Sequence, residues 1–183
     1  MDENQNNKII TKSPGKSLLS GGYLILDKTK RGLVINIDAY ITCESYYIFK
    51  QKQNKDENNF LEINLYSDYL KEKFNYIVCL DINKKNELMI SETNNKDNKW
   101  IKNCIISSLI FYLSKNNCSK TLFMCEQQIE ININIKSDYQ FYSYSPEKVS
   151  TKIKTGLGSS SAFINCLSSN LILTYEYIHQ RKK

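Results

Sequence analysis

A chain of 183 residues, 41% of them hydrophobic, is long enough to bury a core as one domain. Its formal charge of +6 comes from 25 basic and 19 acidic residues spread along the sequence. That spread excludes the clustered basic face of a nucleic-acid binder and leaves a solvated surface with some pull on a phosphorylated small molecule.

No stretch has the length and apolarity of a bilayer-spanning helix, so no membrane span is expected. The opening MDENQNNKII has neither the basic nor the apolar region of a leader. A cytoplasmic protein is therefore expected, with peroxisomal import as the alternative, because such an address lies at a C-terminus. Six cysteines, Cys43, Cys79, Cys104, Cys118, Cys125 and Cys166, form no C-x-x-C pair and sit mostly in apolar runs. Reduced, buried thiols fit that placement.

In chain order, the first constellation is SPGKSLLSGGYLILD at 13–27. Pro14-Gly15 reads as a turn followed by Lys16, and Gly21-Gly22 interrupt a strand-like apolar run, as bulges and close approaches do. Lys16 is either a snorkelling surface lysine or a cation placed to stabilise a transferred phosphoryl group. Next, Leu33, Ile35, Ile37, Ala39 and Ile41 alternate with polar positions and predict a half-buried strand over 33–41. Residues 50–59 are a polar loop, Leu61, Ile63 and Leu65 predict a second strand, and 74–80 a less regular one.

A further polar loop at 91–99 precedes a helix near 98–115, with Asp97 or Asn98 as cap and Trp100, Cys104, Ile105, Ser108, Phe111 and Tyr112 on one face. Ile129, Ile131, Ile133 and Ile135 alternate with polar residues and form the cleanest strand signal, supported by β-branching. The aromatic stretch DYQFYSYS at 138–145 reads as a loop over the sheet, with the lining of a substrate cleft as the alternative. A second helix is predicted over 160–180, with Phe163, Cys166, Leu167, Leu171, Tyr175 and Ile178 recurring at spacings of three and four; His179 is a residue of its last turn. Without a regular βαβ rhythm, the class is α+β.

Between these elements, 154–162 read KTGLGSSSA. Glycines let a backbone approach phosphate oxygens closely, and the free N–H groups of a first helical turn carry the positive end of the helix dipole. The segment is therefore either an anion cradle or an ordinary capped junction between loop and helix. Ser159, Ser160 and Ser161 can cap, donate to phosphate or hold a magnesium ion. Two familiar alternatives fail on composition. Ser161 stands where the dinucleotide fingerprint needs Gly, and Ile10 stands where a Walker loop ending in Gly15-Lys16-Ser17 would need one.

Together, the PGK turn and the downstream GLGSS resemble motifs one and two of the GHMP kinases. Within that family, Gly21, Gly22, Tyr23, Leu24, Leu26 and Asp27 resemble the opening of phosphomevalonate kinases, as does Lys154-Thr155 before the glycines. Residues 12–43 and 150–175 carry the likeness. It implies the family's N-terminal ATP-binding domain over 1–183, of ribosomal protein S5 domain 2-like fold, a mixed sheet backed by helices. It implies ATP and Mg2+ as cofactors, with Lys154, Thr155, Gly156, Leu157, Gly158, Ser159, Ser160 and Ser161 around the phosphates. Ser160 would be the magnesium-linked hydroxyl, and Lys16 the catalytic cation facing the transferring group. The implied reaction phosphorylates 5-phosphomevalonate to 5-diphosphomevalonate on the mevalonate route to isoprenoids and sterols.

Three departures matter. Ile153 stands where the family usually has Pro, and Ser161-Ala162 replace another small pair. The family's Gly-x-Gly-x-Asp segment and C-terminal domain have no counterpart, since neither Gly nor Asp follows Ser161. The implied reading is a truncated chain, inactive alone, that exposes apolar surface meant for the missing C-terminal half; the alternatives are a non-catalytic nucleotide-binding remnant, or another GHMP kinase such as mevalonate kinase, which Gly22 disfavours where Glu would be expected.

Overall fold

The computed structural model describes residues 8–22, 26–51, 60–68, 70–81, 87–94, 98–116, 122–123, 127–144 and 152–181. Strands β1 (Ile9–Ser20), β2 (Leu33–Gln51), β3 (Phe60–Ser67), β4 (Glu72–Asp81), β5 (Glu87–Glu92) and β6 (Gln127–Ser137) form one sheet in the order β1-β2-β6-β3-β4-β5. All neighbours are antiparallel except β3 and β6. Helices α1 (Lys99–Asn116) and α2 (Ser159–Gln180) pack on the same sheet. A small two-stranded sheet pairs β7 (Tyr142–Tyr144) with β8 (Lys152–Lys154). The architecture is the α+β mixed sheet backed by helices that the sequence predicts. No helix among the described residues is long and apolar enough to cross a membrane.

The core follows from alternation. Ile129, Ile131, Ile133 and Ile135 of β6 lie buried beside Leu61, Ile63 and Leu65 of β3 and Phe74, Tyr76 and Val78 of β4, all on one face. From the helices, Ile101, Ile105, Leu109 and Tyr112 of α1 meet Leu167, Leu171, Tyr175 and Ile178 of α2 over that face. Cys43, Cys104 and Cys166 are buried free thiols and Cys79 is half-buried; Cys118 and Cys125 lie outside the described residues.

Helix α2 is also tied down by polar groups. Fully buried Asn170 donates its amide to the carbonyls of Ile9 (3.3 Å) and Cys43 (3.2 Å), and Thr11 Oγ1 donates to the Cys166 carbonyl (3.0 Å). These bonds fix the helix along β1 and β2 where packing alone would allow sliding. The opposite sheet face carries a directional row of amides. Asn94 donates to Asn75, Asn75 to Asn64, Asn64 to Asn132, and Asn132 to Glu130, which pairs with Lys50.

Several expectations change. Strand β2 runs to Gln51, and its inward alternation begins only at Ala39; Leu33 and Ile35, expected to be half-buried, are exposed because the hairpin end extends past the helices. Leu18, Leu19, Leu26 and Val34 are exposed as well. On α1 the cap is Asn98, whose Oδ1 accepts from the N–H groups of Trp100 and Ile101, and the buried face is turned so that Trp100 (68% exposed) and Phe111 face solvent. Asp97 lies outside the described residues. Residues 91–92, read as loop, belong to β5.

Candidate phosphate-binding site

Pro14-Gly15 is not a turn but lies within β1, opposite a bulge in β2. Pro14 pairs with Tyr40 and Gly15 with Ile37, so two residues of β2, Asp38 and Ala39, face one step of β1. The bulge brings β1 against the glycine loop. A Cβ on Gly15 would lie 2.7 Å from Ile37 Cδ1, 2.7 Å from Phe141 Cε1 and 2.8 Å from the Leu157 carbonyl oxygen. Glycine is required there by space. The next residue, Lys16, donates its backbone N–H to that same Leu157 carbonyl at 2.9 Å. The two motifs, far apart in sequence, are therefore one site.

Within the loop, Gly156 and Gly158 have φ of 79° and 74°, the left-handed region that side chains rarely adopt. The second turns the chain directly into α2, whose first intrahelical bond runs from the Ala162 N–H to the Gly158 carbonyl. Gly158 supplies no side chain to cap the helix, so the N–H groups of Ser159, Ser160 and Ser161 have no intrahelical acceptor. The aliphatic stem of Lys16 crosses this point, its Cγ 2.9 Å from where a Gly158 Cβ would be. Lys154 Nζ donates to Ser160 Oγ at 3.1 Å. Two cations thus flank an uncapped helix N-terminus, an arrangement suited to an anion with several oxygens.

The predicted site residues are accordingly brought together, though not in one role. Ser160 is exposed, Ser161 half-exposed and Ser159 buried. Thr155 is turned away from the cradle: its Oγ1 donates to the Gln140 carbonyl at 2.9 Å and its N–H to the Phe141 carbonyl at 3.1 Å. Of the three hydroxyls, that of Ser160 would be the one to hold a metal ion, since its residue is the exposed one. Among the described residues no three His, Cys, Asp or Glu side chains cluster as metal ligands. A single hydroxyl beside an anion cradle would suit magnesium, which keeps several waters and takes few protein ligands.

A cleft of about 180 Å³ opens beside the helix start, lined by Lys154, Ser159, Ser160, Phe163, Trp100 and Tyr142. Tyr142 comes from the aromatic stretch for which cleft lining was the alternative reading, whereas sequence reasoning missed Phe141, which is fully buried at the site. The phenylalanine stands in the same stretch.

No family model matches the chain, and no curated protein matches it either. Its fold is similar to solved structures. One is the mevalonate kinase of Methanococcus jannaschii, at 22% identity and a TM-score of 0.51, covering 93% of this chain and 41% of that one. Another is the Lin0012 protein of Listeria innocua, at 18% identity and a TM-score of 0.50, covering 91% and 36% respectively. The chain thus spans about two fifths of the length of these structures and shares their fold.

Proposed function

We propose that this chain is the nucleotide-binding domain of a GHMP-type small-molecule kinase, with 5-phosphomevalonate as the phosphoryl acceptor. The observation that carries the nucleotide part is the junction at Gly158, where a left-handed glycine, an uncapped helix start and the Lys16 stem coincide. In this reading the N–H groups of the first α2 turn hold phosphate oxygens, and Lys16 neutralises charge that grows on the transferring group. Lys154 releases Ser160 to engage the anion. Magnesium, held through Ser160, supplies further charge neutralisation when bound. The cleft beside Trp100 receives the nucleotide base, against apolar walls from Tyr142 and Phe163.

The acceptor is proposed from the GGYLILD segment, of which Tyr23, Leu24 and Ile25 lie outside the described residues. Phosphorylation of 5-phosphomevalonate needs a carboxylate to orient or deprotonate the attacking phosphate, and the expected Asp segment is not in this sequence. We accordingly propose binding without turnover for these 183 residues, and full activity for a polypeptide that also contains the second domain. The second reading is a nucleotide-binding module without catalysis.

Trp100 is the single tryptophan and is exposed at the cleft, so its fluorescence reports on ligand directly. Titration with ATP and magnesium is expected to give a saturable change that GTP or ATP without magnesium weakens. A flat response up to about millimolar ATP, the upper end of ordinary enzyme affinities, would refute the nucleotide reading. On a polypeptide extended through the second domain, ADP release with 5-phosphomevalonate but not with mevalonate is the expected result. Preference for mevalonate would reassign the substrate, and absence of turnover with either would favour the non-catalytic reading.

A further inference from the structure

The cradle is closed by a circuit of hydrogen bonds that does not itself reach a ligand. Asp138 stands at the end of β6, where its Oδ2 accepts from the Tyr40 N–H (2.8 Å) and its own N–H donates to the Tyr40 carbonyl (3.0 Å). From Asp138 the chain makes a 3-10 turn over Tyr139–Phe141, closed by the Phe141 N–H on the Asp138 carbonyl. Thr155 then bonds to this turn twice, through Oγ1 to Gln140 and through N–H to Phe141. Two residues further on, the Leu157 carbonyl accepts from Lys16 in β1, and Tyr40 is the register partner of Pro14 in the same strand. The circuit encloses the Phe141 ring, which fills the space over Gly15.

We propose that Asp138, Phe141 and Thr155 form a positioning clip that sets the distance between Lys16 and the N-terminus of α2. The resemblance would put Thr155 in direct contact with the nucleotide; the geometry instead spends its hydroxyl proton on Gln140. Thr155 precedes Gly156, where the chain enters the left-handed region and has few contacts of its own to hold it. The two bonds from Thr155 are what stop the loop from lifting away from β1. Asp138 does the same for the turn, from the other side. Both residues act through Lys16 and the helix start, and neither touches the phosphates. The ligand half of this inference rests on the nucleotide reading above; the positioning half does not.

The test compares Thr155→Val, Thr155→Ser, Asp138→Ala and the Thr155→Val/Asp138→Ala double variant of the 183-residue chain. Hydrogen exchange at the Lys16 amide reads the clip with no ligand present. Loss of one clip bond is expected to speed that exchange about fivefold in Thr155→Val and Asp138→Ala, with Thr155→Ser at the wild-type rate. Amides at Ile63 and Ile131 in the sheet centre should not change, which separates a loosened clip from a poorly folded variant. Affinity for ATP with magnesium should fall by similar factors in the two single variants and no further in the double, as expected for residues acting in one unit.

Unchanged Lys16 exchange in Thr155→Val would overturn the proposal. So would weaker ATP binding in Thr155→Val with Asp138→Ala at the wild-type affinity, because that pattern marks a direct ligand. If the unmodified chain does not bind ATP at all, the kinase reading falls, and the exchange rates alone decide the clip.

Discussion

Replacing Gly15 with Ala adds one methyl group at the most crowded point of the site, and its effect can be worked from three contacts. The new Cβ would sit 2.7 Å from Ile37 Cδ1, 2.7 Å from Phe141 Cε1 and 2.8 Å from the Leu157 carbonyl oxygen. Ile37 can yield, since that atom is the end of a partly buried side chain. The Phe141 ring is fully enclosed and the Leu157 oxygen is backbone, so relief at those two requires the loop to retreat. Retreat breaks the bond from the Lys16 N–H, a loss of about 1 kcal/mol. Overpacking of this kind adds about 1–3 kcal/mol. Against this, alanine restricts the unfolded chain by up to about 1 kcal/mol, and the φ of Gly15 is not in the left-handed region.

The net expectation for Gly15→Ala is destabilisation by about 1–3 kcal/mol, read as a lowered urea midpoint at unchanged slope. Gly156→Ala is the control, because nothing lies within 4 Å of its Cβ position and only its positive φ is strained. It should cost about 1 kcal/mol. A Gly15→Ala midpoint equal to or above that of the parent would refute the close approach of the two motifs.

Three further outcomes are expected. Asn170→Ala removes the amide shared by the Ile9 and Cys43 carbonyls and should destabilise by about 1–3 kcal/mol in urea unfolding; a change within error would mean those carbonyls have other donors. For Glu130, burial pushes the carboxyl up, but Lys50 and Asn132 outweigh it and hold the folded value below the ordinary glutamate range. A depressed folded pKa contributes stability that is fully present above the unfolded value and is lost as pH falls through the folded one. Unfolding measured between about pH 6 and pH 3 should therefore show an acid limb that Glu130→Gln flattens, and an unaltered limb would assign it elsewhere. Finally, Leu18, Leu19, Leu33 and Val34 are 42%, 58%, 54% and 51% exposed on one hairpin. The 183-residue chain should associate as concentration rises, and Leu19→Lys with Val34→Lys should shift sedimentation toward monomer. Association unchanged in that variant would place the contact on another surface.

The parts of this fold that could be read from sequence are those where one physical demand dominates. Strand β6 lies at the sheet interior, so its isoleucines had to alternate, and α2 has a stripe of apolar residues at spacings of three and four. Helix α1 was legible as a helix but not in its rotation. Trp100 and Phe111 satisfy the period yet are exposed, while Ile101, next to Trp100, and Leu109, two before Phe111, fill the core. Strand β1 was obscured by its own Pro14-Gly15 and Gly21-Gly22, which mark a bulge and a strand end that single-sequence patterns do not separate from turns. Of the site, the glycine spacing and the helix behind it were legible. The clip was not, because a buried Phe141 in a polar aromatic stretch gives no period, and the pairing of β7 with β8 is set by tertiary contact.

The bonds that hold α2 to β1 join residues very distant in the chain, 155 positions for Thr11 with Cys166 and 161 for Ile9 with Asn170. A ribosome making this protein releases the β1–β2 hairpin long before the helix that covers it exists. Closing so large a loop brings its entropy cost before any of the contacts that offset it, which makes this the slow step of assembly. The cradle, which lies at that closure, is therefore among the last features to form, and a nascent chain waits with the inner face of the hairpin, at Ile9, Ala39, Ile41 and Cys43, uncovered.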